Sequence, residues 1–177
     1  AVRLTNLAGL VSTGGRLSAF FPMATRDDVP PGPIADLRTV DSTSNSIVLR
    51  WTATGDDGEI GRALTYDVRY STAPITEETF GQANRASGPP PPSLPGSQET
   101  MEILRLSADT SYFFAVKALD EWGNAGPFGA VTSGTTLPPP TFDSNPTSFS
   151  ADMKTGETAT RTFSIRNAGQ GTLDWTI

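Results

Sequence analysis

The chain has 177 residues and a formal net charge of −6 at pH 7. An acidic surface repels nucleic-acid phosphates and anionic lipids, and no apolar run reaches the roughly 20 residues that cross a bilayer, so we expect no nucleic-acid partner and no membrane insertion. Cysteine and histidine are both absent, which excludes disulfides, thiolate and imidazole metal ligands, and any serine triad that depends on histidine. We therefore predict no catalytic residue and no cofactor in this chain.

The first segment, residues 1–22, is apolar but too short to bury its own face. Two consecutive glycines precede the stretch Arg-Leu-Ser-Ala-Phe-Phe, which predicts a short helix over 16–21 that Pro22 ends. The sequence starts at Ala1 without a methionine and stops at Ile177 within an alternating segment, so we expect a fragment of a longer protein.

Part of this segment has a recognisable pattern. Residues 10–19, Leu-Val-Ser-Thr-Gly-Gly-Arg-Leu-Ser-Ala, resemble the last element of subtilisin-like serine protease domains. In that family a Gly-Gly-Arg-Leu-Asn-Ala stretch opens the closing helix, and Ser18 stands here where asparagine is usual. The resemblance implies that residues 1–22 are the C-terminal remnant of such a domain. The alternative is an ordered linker that packs on the domain that follows.

Two proline-rich segments divide the rest of the chain. Residues 23–33 are polar and contain three prolines, and residues 138–140 are three consecutive prolines. Proline fixes φ and keeps the chain extended, so both segments should hold their neighbours apart. The first is predicted to be a linker and the second a hinge, with one domain at 34–137 between them.

The central domain shows the alternation of apolar and polar residues that is typical of half-buried strands. Trp51 ends one such strand and Tyr112 begins another. Strict alternation buries one face of each strand, which predicts an all-β fold built as an antiparallel sandwich. Leu37 is expected in the first strand, and the later strands are predicted at 46–52, 66–70, 101–105, 112–119 and 131–136.

A second resemblance covers this domain. Residues 106–112, Leu-Ser-Ala-Asp-Thr-Ser-Tyr, match the Leu-x-Pro-x-Thr-x-Tyr corner of fibronectin type III domains, with Ala108 in the proline position. In that family the tyrosine hydroxyl ties back to the backbone. Trp51 lies on the second strand without a cysteine pair, whereas an immunoglobulin domain places its tryptophan on the third strand against a disulfide. The resemblance implies a monomeric fibronectin type III module that spaces or binds rather than catalyses.

The location follows from a further similarity. Residues 52–71 resemble the version of this domain that is found in secreted bacterial proteins, which implies a secreted or cell-surface location.

Residues 74–80 predict a helical turn capped by Thr76 that folds Ile75 and Phe80 onto the sheet edge. Lys117 is expected on the solvent-exposed face of the strand predicted at 112–119.

After the proline hinge, residues 141–177 predict further strands. Two are expected at 145–149 and 156–165, a turn at 167–172, and a third strand that carries Leu173, Trp175 and Ile177. The pattern resembles the opening of the immunoglobulin-like modules at the ends of bacterial extracellular proteins. Too few strands are present for a complete sandwich, so we expect a truncated second domain with an unpaired sheet edge.

The acidic cluster in the loop after Trp51 is the candidate metal site. Asp56, Asp57 and Glu59 supply the oxygen ligands that calcium prefers, but their spacing does not match the Asp-x-Asp-x-Asp-Gly calcium loop. The alternative is a solvated turn in which Gly55 and Gly58 supply positive φ.

Two other loops carry candidate contacts. Trp122 is either a contact for a glycan or protein partner, or a cover for the end of the core beside Phe128. The proline-rich stretch 88–95 is either a polyproline ligand or a rigid connector, and we favour the connector.

These observations lead to two hypotheses for the function. The first is a non-catalytic spacer and interaction module of a secreted multidomain bacterial protein, downstream of a subtilisin-like serine endopeptidase domain. The second is a cell-surface adhesin, or an array of repeats that binds glycans or proteins, with no enzyme domain. A protein or polysaccharide partner is expected in either case, and the sequence does not identify it.

Overall fold

The computed structural model describes the backbone of residues 10–13 and 16–19 and the full residues 27–174 and 176. Within these residues the fold is all-β, with antiparallel sheets and one 3-10 turn (Phe80–Gln82). The strands in chain order are β1 (Leu10–Thr13), β2 (Arg16–Ala19), β3 (Arg38–Ser42), β4 (Ser46–Thr52), β5 (Thr65–Ser71), β6 (Asn84–Arg85), β7 (Gln98–Leu104), β8 (Ser111–Leu119), β9 (Val131–Thr135), β10 (Phe142–Asn145) and β11 (Ser164–Asn167).

Seven of these strands form the predicted sandwich. One sheet has the order β3-β4-β7 and the other the order β6-β5-β8-β9. Side chains alternate between core and solvent along β4, β7 and β8, as the period of two in the sequence predicts. The inward side chains of the two sheets form one core, whose fully buried large members are Trp51, Tyr66, Phe114, Ile34, Ile47, Leu49, Val68 and Val116.

A buried carboxylate lies beside the core at the β4 end that carries Thr52. The rings of Trp51 and Tyr66 meet edge to face at 5.1 Å. Beside them the carboxylate of Glu99 is buried and accepts a 2.6 Å hydrogen bond from the backbone N–H of Ser93 and a 3.5 Å bond from the Tyr66 hydroxyl. Burial raises the pKa of Tyr66 to about 12. Glu99 therefore ties the proline-rich loop to the core.

The outer face of the four-stranded sheet is covered by the segment between β5 and β6. Ile75 and Phe80 are buried there against Ala115, so they lie on the sheet face rather than at its edge. Thr76 contributes as predicted, since its carbonyl accepts a 2.9 Å bond from the N–H of Phe80 and its hydroxyl a 3.3 Å bond from the N–H of Thr79.

Because this segment covers the sheet face, the solvent-exposed position predicted for Lys117 is wrong. Its side chain is 13% exposed, its ammonium group lies 2.7 Å from Glu77 Oε1, and it stands 5.2 Å from the centre of the Phe80 ring. Arg69 approaches the same ring at 5.6 Å. Alternation placed Lys117 on the outer face correctly, but it could not reveal that a distant segment folds over that face.

The helix predicted over 16–21 is wrong where the structure describes it. Residues Arg16–Ala19 form strand β2, which pairs antiparallel with β1 so that Thr13 lies opposite Arg16. Two consecutive glycines between apolar segments are a signal for a two-residue hairpin turn, and β-branched residues before them favour a strand. That signal outweighs the helix pattern. Phe20 and Phe21, the rest of the predicted helix, lie outside the described residues.

The C-terminal segment forms less sheet than the sequence predicted. Strands β10 and β11 pair with each other, and within the described residues neither pairs with a further strand. The strand predicted at 145–149 lies earlier, at Phe142–Asn145, and the one predicted at 156–165 covers only Ser164–Asn167. Leu173 is not in a strand, and Trp175 and Ile177 lie outside the described residues. The rings of Phe149 and Phe163 meet at 5.8 Å while both side chains stay about half exposed.

Candidate metal centre

The candidate metal centre lies where three segments meet at one end of the sandwich. The segments are the entry stretch 27–34, the β4–β5 loop 53–64 and the β8–β9 loop 120–130. One carboxylate oxygen each from Asp27, Asp56 and Glu121 can be chosen so that all three atoms lie within 4.8 Å of one another.

Glycine geometry holds the β4–β5 loop in place. The N–H of Gly55 donates to Gly58 O at 2.8 Å, and the N–H of Asp56 donates to Ile60 O at 2.7 Å. A Cβ on Gly55 would collide with the backbone of Ile60, so this glycine permits a close approach rather than a positive φ. Positive φ occurs instead at Gly58 (63°), as predicted, and at Gly61 (74°). The turn directs the Asp56 side chain towards the entry stretch.

A buried aspartate fixes the β8–β9 loop. Asp120 is 2% exposed, and its Oδ1 accepts hydrogen bonds from the N–H groups of Trp122 (2.9 Å) and Asn124 (2.7 Å). Burial opposes the charged form, but these bonds and the side-chain bond from Asn124 outweigh it and lower the pKa of Asp120. The Asn124 amide also donates to Asp27 O at 2.9 Å, which brings the entry stretch against this loop.

The electrostatics of the centre are those of crowded carboxylates. Desolvation raises the pKa of Asp56, and the nearby charges of Glu121, Asp120, Asp57 and Asp27 raise it further. Desolvation likewise raises the pKa of Asp57, with the Asp27 charge next in importance. Within the described residues, Oδ1 of Asp56 and Oδ1 of Asp57 are buried atoms without a hydrogen-bond partner. Such atoms are costly unless a positive group compensates them.

Oxygen-only ligands of this kind suit a hard divalent cation. Calcium takes about 6–8 oxygens from carboxylates, backbone carbonyls and water, with tolerant geometry. Three converging carboxylates, of which Asp56 has an uncompensated oxygen, and the uncompensated oxygen of Asp57 beside them meet the first requirement of such a site.

The structure separates the three residues that the sequence singled out. Asp56 belongs to the carboxylate group and Asp57 adds its buried oxygen beside it, whereas Glu59 is exposed and lies outside the group. Sequence reasoning missed Asp27 and Glu121, since both are far from Asp56 along the chain. The rule that loops of a sandwich cluster at its two ends was the available signal for Glu121. No comparable signal existed for Asp27, which was assigned to the linker.

The remaining predicted contacts have clear positions. Trp122 is 47% exposed at the same end of the sandwich. Phe128, its proposed neighbour in the covering alternative, packs against Phe80 on the outer sheet face instead, with ring centres 6.1 Å apart. In the stretch 88–95, Pro92 is buried and Ser93 is bound to Glu99, which favours the rigid connector.

Similar solved structures include titin domains (23% identity, TM-score 0.44, covering 62% of this chain and 32% of that one) and the chicken CNTN1 FN1-FN3 domains (19%, 0.44, covering 60% and 32%). A myokine structure is similar at 15% identity with a TM-score of 0.41, covering 60% of this chain and 97% of that one. This chain thus spans about a third of the titin and chicken chains. No curated protein sequence matches it.

Among the described residues, no helix is long and apolar enough to span a membrane. The family model for the fibronectin type III domain matches residues 30–135, which is more than half of the chain. Domains of this type are non-catalytic spacer or interaction modules, and the observed sandwich is consistent with that. The chain belongs to the fibronectin type III family.

Proposed function

We propose that this domain is a spacer that fixes the direction in which the chain enters and leaves it, within a secreted or cell-surface multidomain bacterial protein. The observation that carries the proposal is that the flanking segments are hydrogen-bonded to the sandwich at opposite ends. A spacer with free flanks would join its neighbours without orienting them.

The entry is held at the end that carries the carboxylates. The N–H of Gly58 donates to Pro30 O, and the N–H of Gly32 donates to Gly58 O, both at 3.1 Å. Further on, the N–H of Ala130 donates to Ile34 O at 2.8 Å. Each proline in this stretch lacks a donor, so the chain uses its carbonyls and the intervening glycine to bind the loop. The entry stretch therefore lies along the domain.

The exit is held at the other end of the strands. The N–H of Leu137 donates to Thr43 O at 2.8 Å, and Leu137 O accepts a 3.1 Å bond from the N–H of Asp109. Thr43 belongs to the β3–β4 turn and Asp109 to the β7–β8 corner, so the last residue before the prolines is bonded on both sides. Strands β4 and β8, of 7 and 9 residues, separate the two ends of the sandwich by roughly 20 Å or more.

A distance measurement tests the proposal. The chain has no cysteine, so spin labels attached at Val29→Cys and Thr141→Cys report a single distance, which pulsed electron paramagnetic resonance measures. We expect a single narrow distribution. A control pair, Met153→Cys with Thr141→Cys, lies wholly after the hinge. It reports the distance distribution within the segment outside the sandwich. A broad distribution for the first pair, with the sandwich still folded by circular dichroism, contradicts the proposal.

A second candidate function belongs to the same end of the domain, and the uncompensated oxygens of Asp56 and Asp57 favour it. Calcium held by Asp27, Asp56 and Glu121 would join the entry stretch to both loops and stiffen the entry. Calorimetric titration of the purified chain with CaCl₂ tests this. Asp56→Asn should abolish the binding heat and Asp152→Asn, an exposed control, should keep it. No binding heat in the unmodified chain contradicts the calcium function and leaves the spacer proposal standing.

The parent protein is a separate proposal. The resemblance of residues 10–19 to the end of subtilisin-like protease domains supports a protease parent, although the helix that this resemblance implies is a strand at Arg16–Ala19. The alternative parent is an adhesin or a binding array. The reading frame upstream of Ala1 distinguishes them: a protease parent requires the aspartate, histidine and serine motifs of that family there. Further sandwich domains in their place would support the array. The expected partner, a protein or polysaccharide, stays a proposal in both cases.

A further inference from the structure

The two sheets of the sandwich meet along two lateral sides, here called seams, and the two seams differ. On one side β3 lies against β9, and the Thr39 hydroxyl donates to Ser133 O at 3.1 Å, so this seam is closed. On the other side β7 and β6 are the outermost strands of their sheets, and within residues 27–174 no strand pairs with the outer edge of β7. The sandwich is therefore open along β7.

The hydrogen-bond pattern between β4 and β7 identifies the backbone groups of β7 that do not bond to β4. The N–H of Ala53 donates to Ser97 O at 2.8 Å, and β4 and β7 pair one to one from there without a register shift. Because hydrogen-bonded pairs alternate in an antiparallel ladder, Glu99, Met101 and Ile103 bond to β4. The backbone N–H and C=O groups of Thr100, Glu102 and Leu104 point away from it, along the open edge.

Proteins usually block such an edge with proline, lysine, a bulge or an inward charge. On β7, the inward charge of Glu99 and the bound proline loop protect the end at Gln98. The rest of the strand has no proline and no lysine, its pairing with β4 is regular, and Leu104 is 59% exposed. The unprotected part of the edge is therefore residues 100–105.

A groove of about 320 Å³ opens at this part of the edge. Its lining includes the buried side chains of Met101 and Ile103, with Tyr70 on the opposite sheet. Three exposed charged residues, Arg85, Glu102 and Arg105, also line it. The volume is at the lower limit of ligand pockets, so it fits a side chain or two rather than a whole cofactor. Arg85 Nε already lies 3.2 Å from Asp67 Oδ1, so within residues 27–174 Arg105 is the guanidinium group at the rim without an ion pair, and it favours a carboxylate.

We propose that the edge of β7 from Thr100 to Arg105 is a docking site for an extended peptide strand, which places an acidic side chain against Arg105. The peptide adds to the three-stranded sheet through the outward backbone groups, and the groove takes the side chain that points into the seam. The charge of Arg105 selects an acidic segment over a basic one. This inference does not depend on the spacer proposal, because the edge lies between the two ends of the domain.

The test uses two defined probes. One is a short fluorescent peptide of alternating threonine and valine with a central glutamate, and the other has glutamine at that position. We expect the glutamate peptide to raise fluorescence anisotropy on titration with the full chain, and the glutamine peptide to bind about fivefold more weakly, as for an exposed ion pair. Amide chemical-shift changes should map to residues 100–105.

Three variants complete the test, each checked for an unchanged melting temperature. Leu104→Lys places a lysine on the exposed edge and should abolish binding, and Arg105→Glu should weaken the glutamate peptide but not the glutamine one. Arg62→Glu, the same charge change at an exposed arginine far from the groove, should leave binding unchanged. Binding that survives Leu104→Lys, shifts that map elsewhere, or no binding of either peptide overturns the proposal. A dimer that Leu104→Lys dissociates would also overturn it, since the edge would then serve a second copy of the chain.

Discussion

The hydroxyl of Tyr112 accepts a 3.0 Å hydrogen bond from the backbone N–H of Ser107, five residues earlier in the chain. This is the corner that the motif at residues 106–112 predicted. The carbonyl of Ser107 is bound as well, by the hydroxyl of Thr136 at 2.6 Å. Ala108 in the usual proline position does not prevent the corner from forming, because both backbone groups of Ser107 are held from outside the turn.

Removal of the Tyr112 hydroxyl should weaken the corner. Tyr112→Phe keeps the ring in the core but leaves the partly buried N–H of Ser107 without an acceptor, which costs about 1–3 kcal/mol of unfolding free energy. Urea unfolding followed by circular dichroism measures the change. Ser111→Ala, at an exposed neighbour on the same strand, is the control and should change little. Equal stability of Tyr112→Phe and the unmodified chain would show that the bond contributes nothing.

Trp51 should be the most sensitive core position on β4. It has no exposed surface and packs edge to face on Tyr66. Trp51→Ala leaves a large cavity and should lower the unfolding free energy by about 3–5 kcal/mol. The matched control is Trp122→Ala, which removes the same side chain from a half-exposed loop position and should cost much less. Similar losses for the two variants would contradict the assignment of Trp51 to the core.

The sequence predicted the sandwich well where the residues themselves alternate. Strand β4 was predicted at its observed bounds because residues 46–52 contain no glycine or proline and alternate without a break. The helix prediction at 16–21 failed because short apolar stretches fit both periods, and residues Arg16–Ala19 pair as a strand with Leu10–Thr13. Local reasoning placed Asp56 in an acidic loop but could not add Asp27 and Glu121, whose approach depends on how distant loops converge.

The cover on the outer sheet face gives a further prediction. Phe80 is buried between Arg69 and Lys117, so Phe80→Ala should uncover that face and lower the unfolding free energy by up to about 3–5 kcal/mol. Glu77→Ala removes only the exposed partner of Lys117 and should cost about 0–1 kcal/mol. Thermal unfolding of both variants measures the difference. A larger loss for Glu77→Ala would show that the ion pair, rather than the apolar contact, holds the segment.

The stability should depend on pH through Asp36 in acid. Burial opposes the charged form, but the bonds from Thr52 N–H (2.8 Å) and its hydroxyl (2.7 Å), with the charge of Arg38, lower the pKa of Asp36 below 3.8. A lowered folded-state pKa contributes stability that is present above the unfolded value and lost as the pH falls through the folded one. The Asp36→Asn variant should therefore lose less stability than the unmodified chain between neutral pH and the region below 3.8. Urea unfolding across that pH range measures this, and parallel curves would contradict it.

The charge of Asp56 should destabilise the calcium-free protein and stabilise the calcium-bound one. Burial and neighbouring carboxylates raise the pKa of Asp56, so its charged form destabilises the fold as the pH rises through that raised value. In a calcium chelator at neutral pH, Asp56→Asn removes the charge and should raise the midpoint of urea unfolding.

With calcium added, the order should reverse. The unmodified chain gains stability from binding to the folded state, whereas Asp56→Asn has lost a ligand and should gain little. Asp152→Asn, exposed and far along the chain from the centre, should follow the unmodified chain in both conditions. A lower midpoint for Asp56→Asn in chelator would show that the charged Asp56 is already compensated within the protein, and then no cation is needed to explain its buried oxygen.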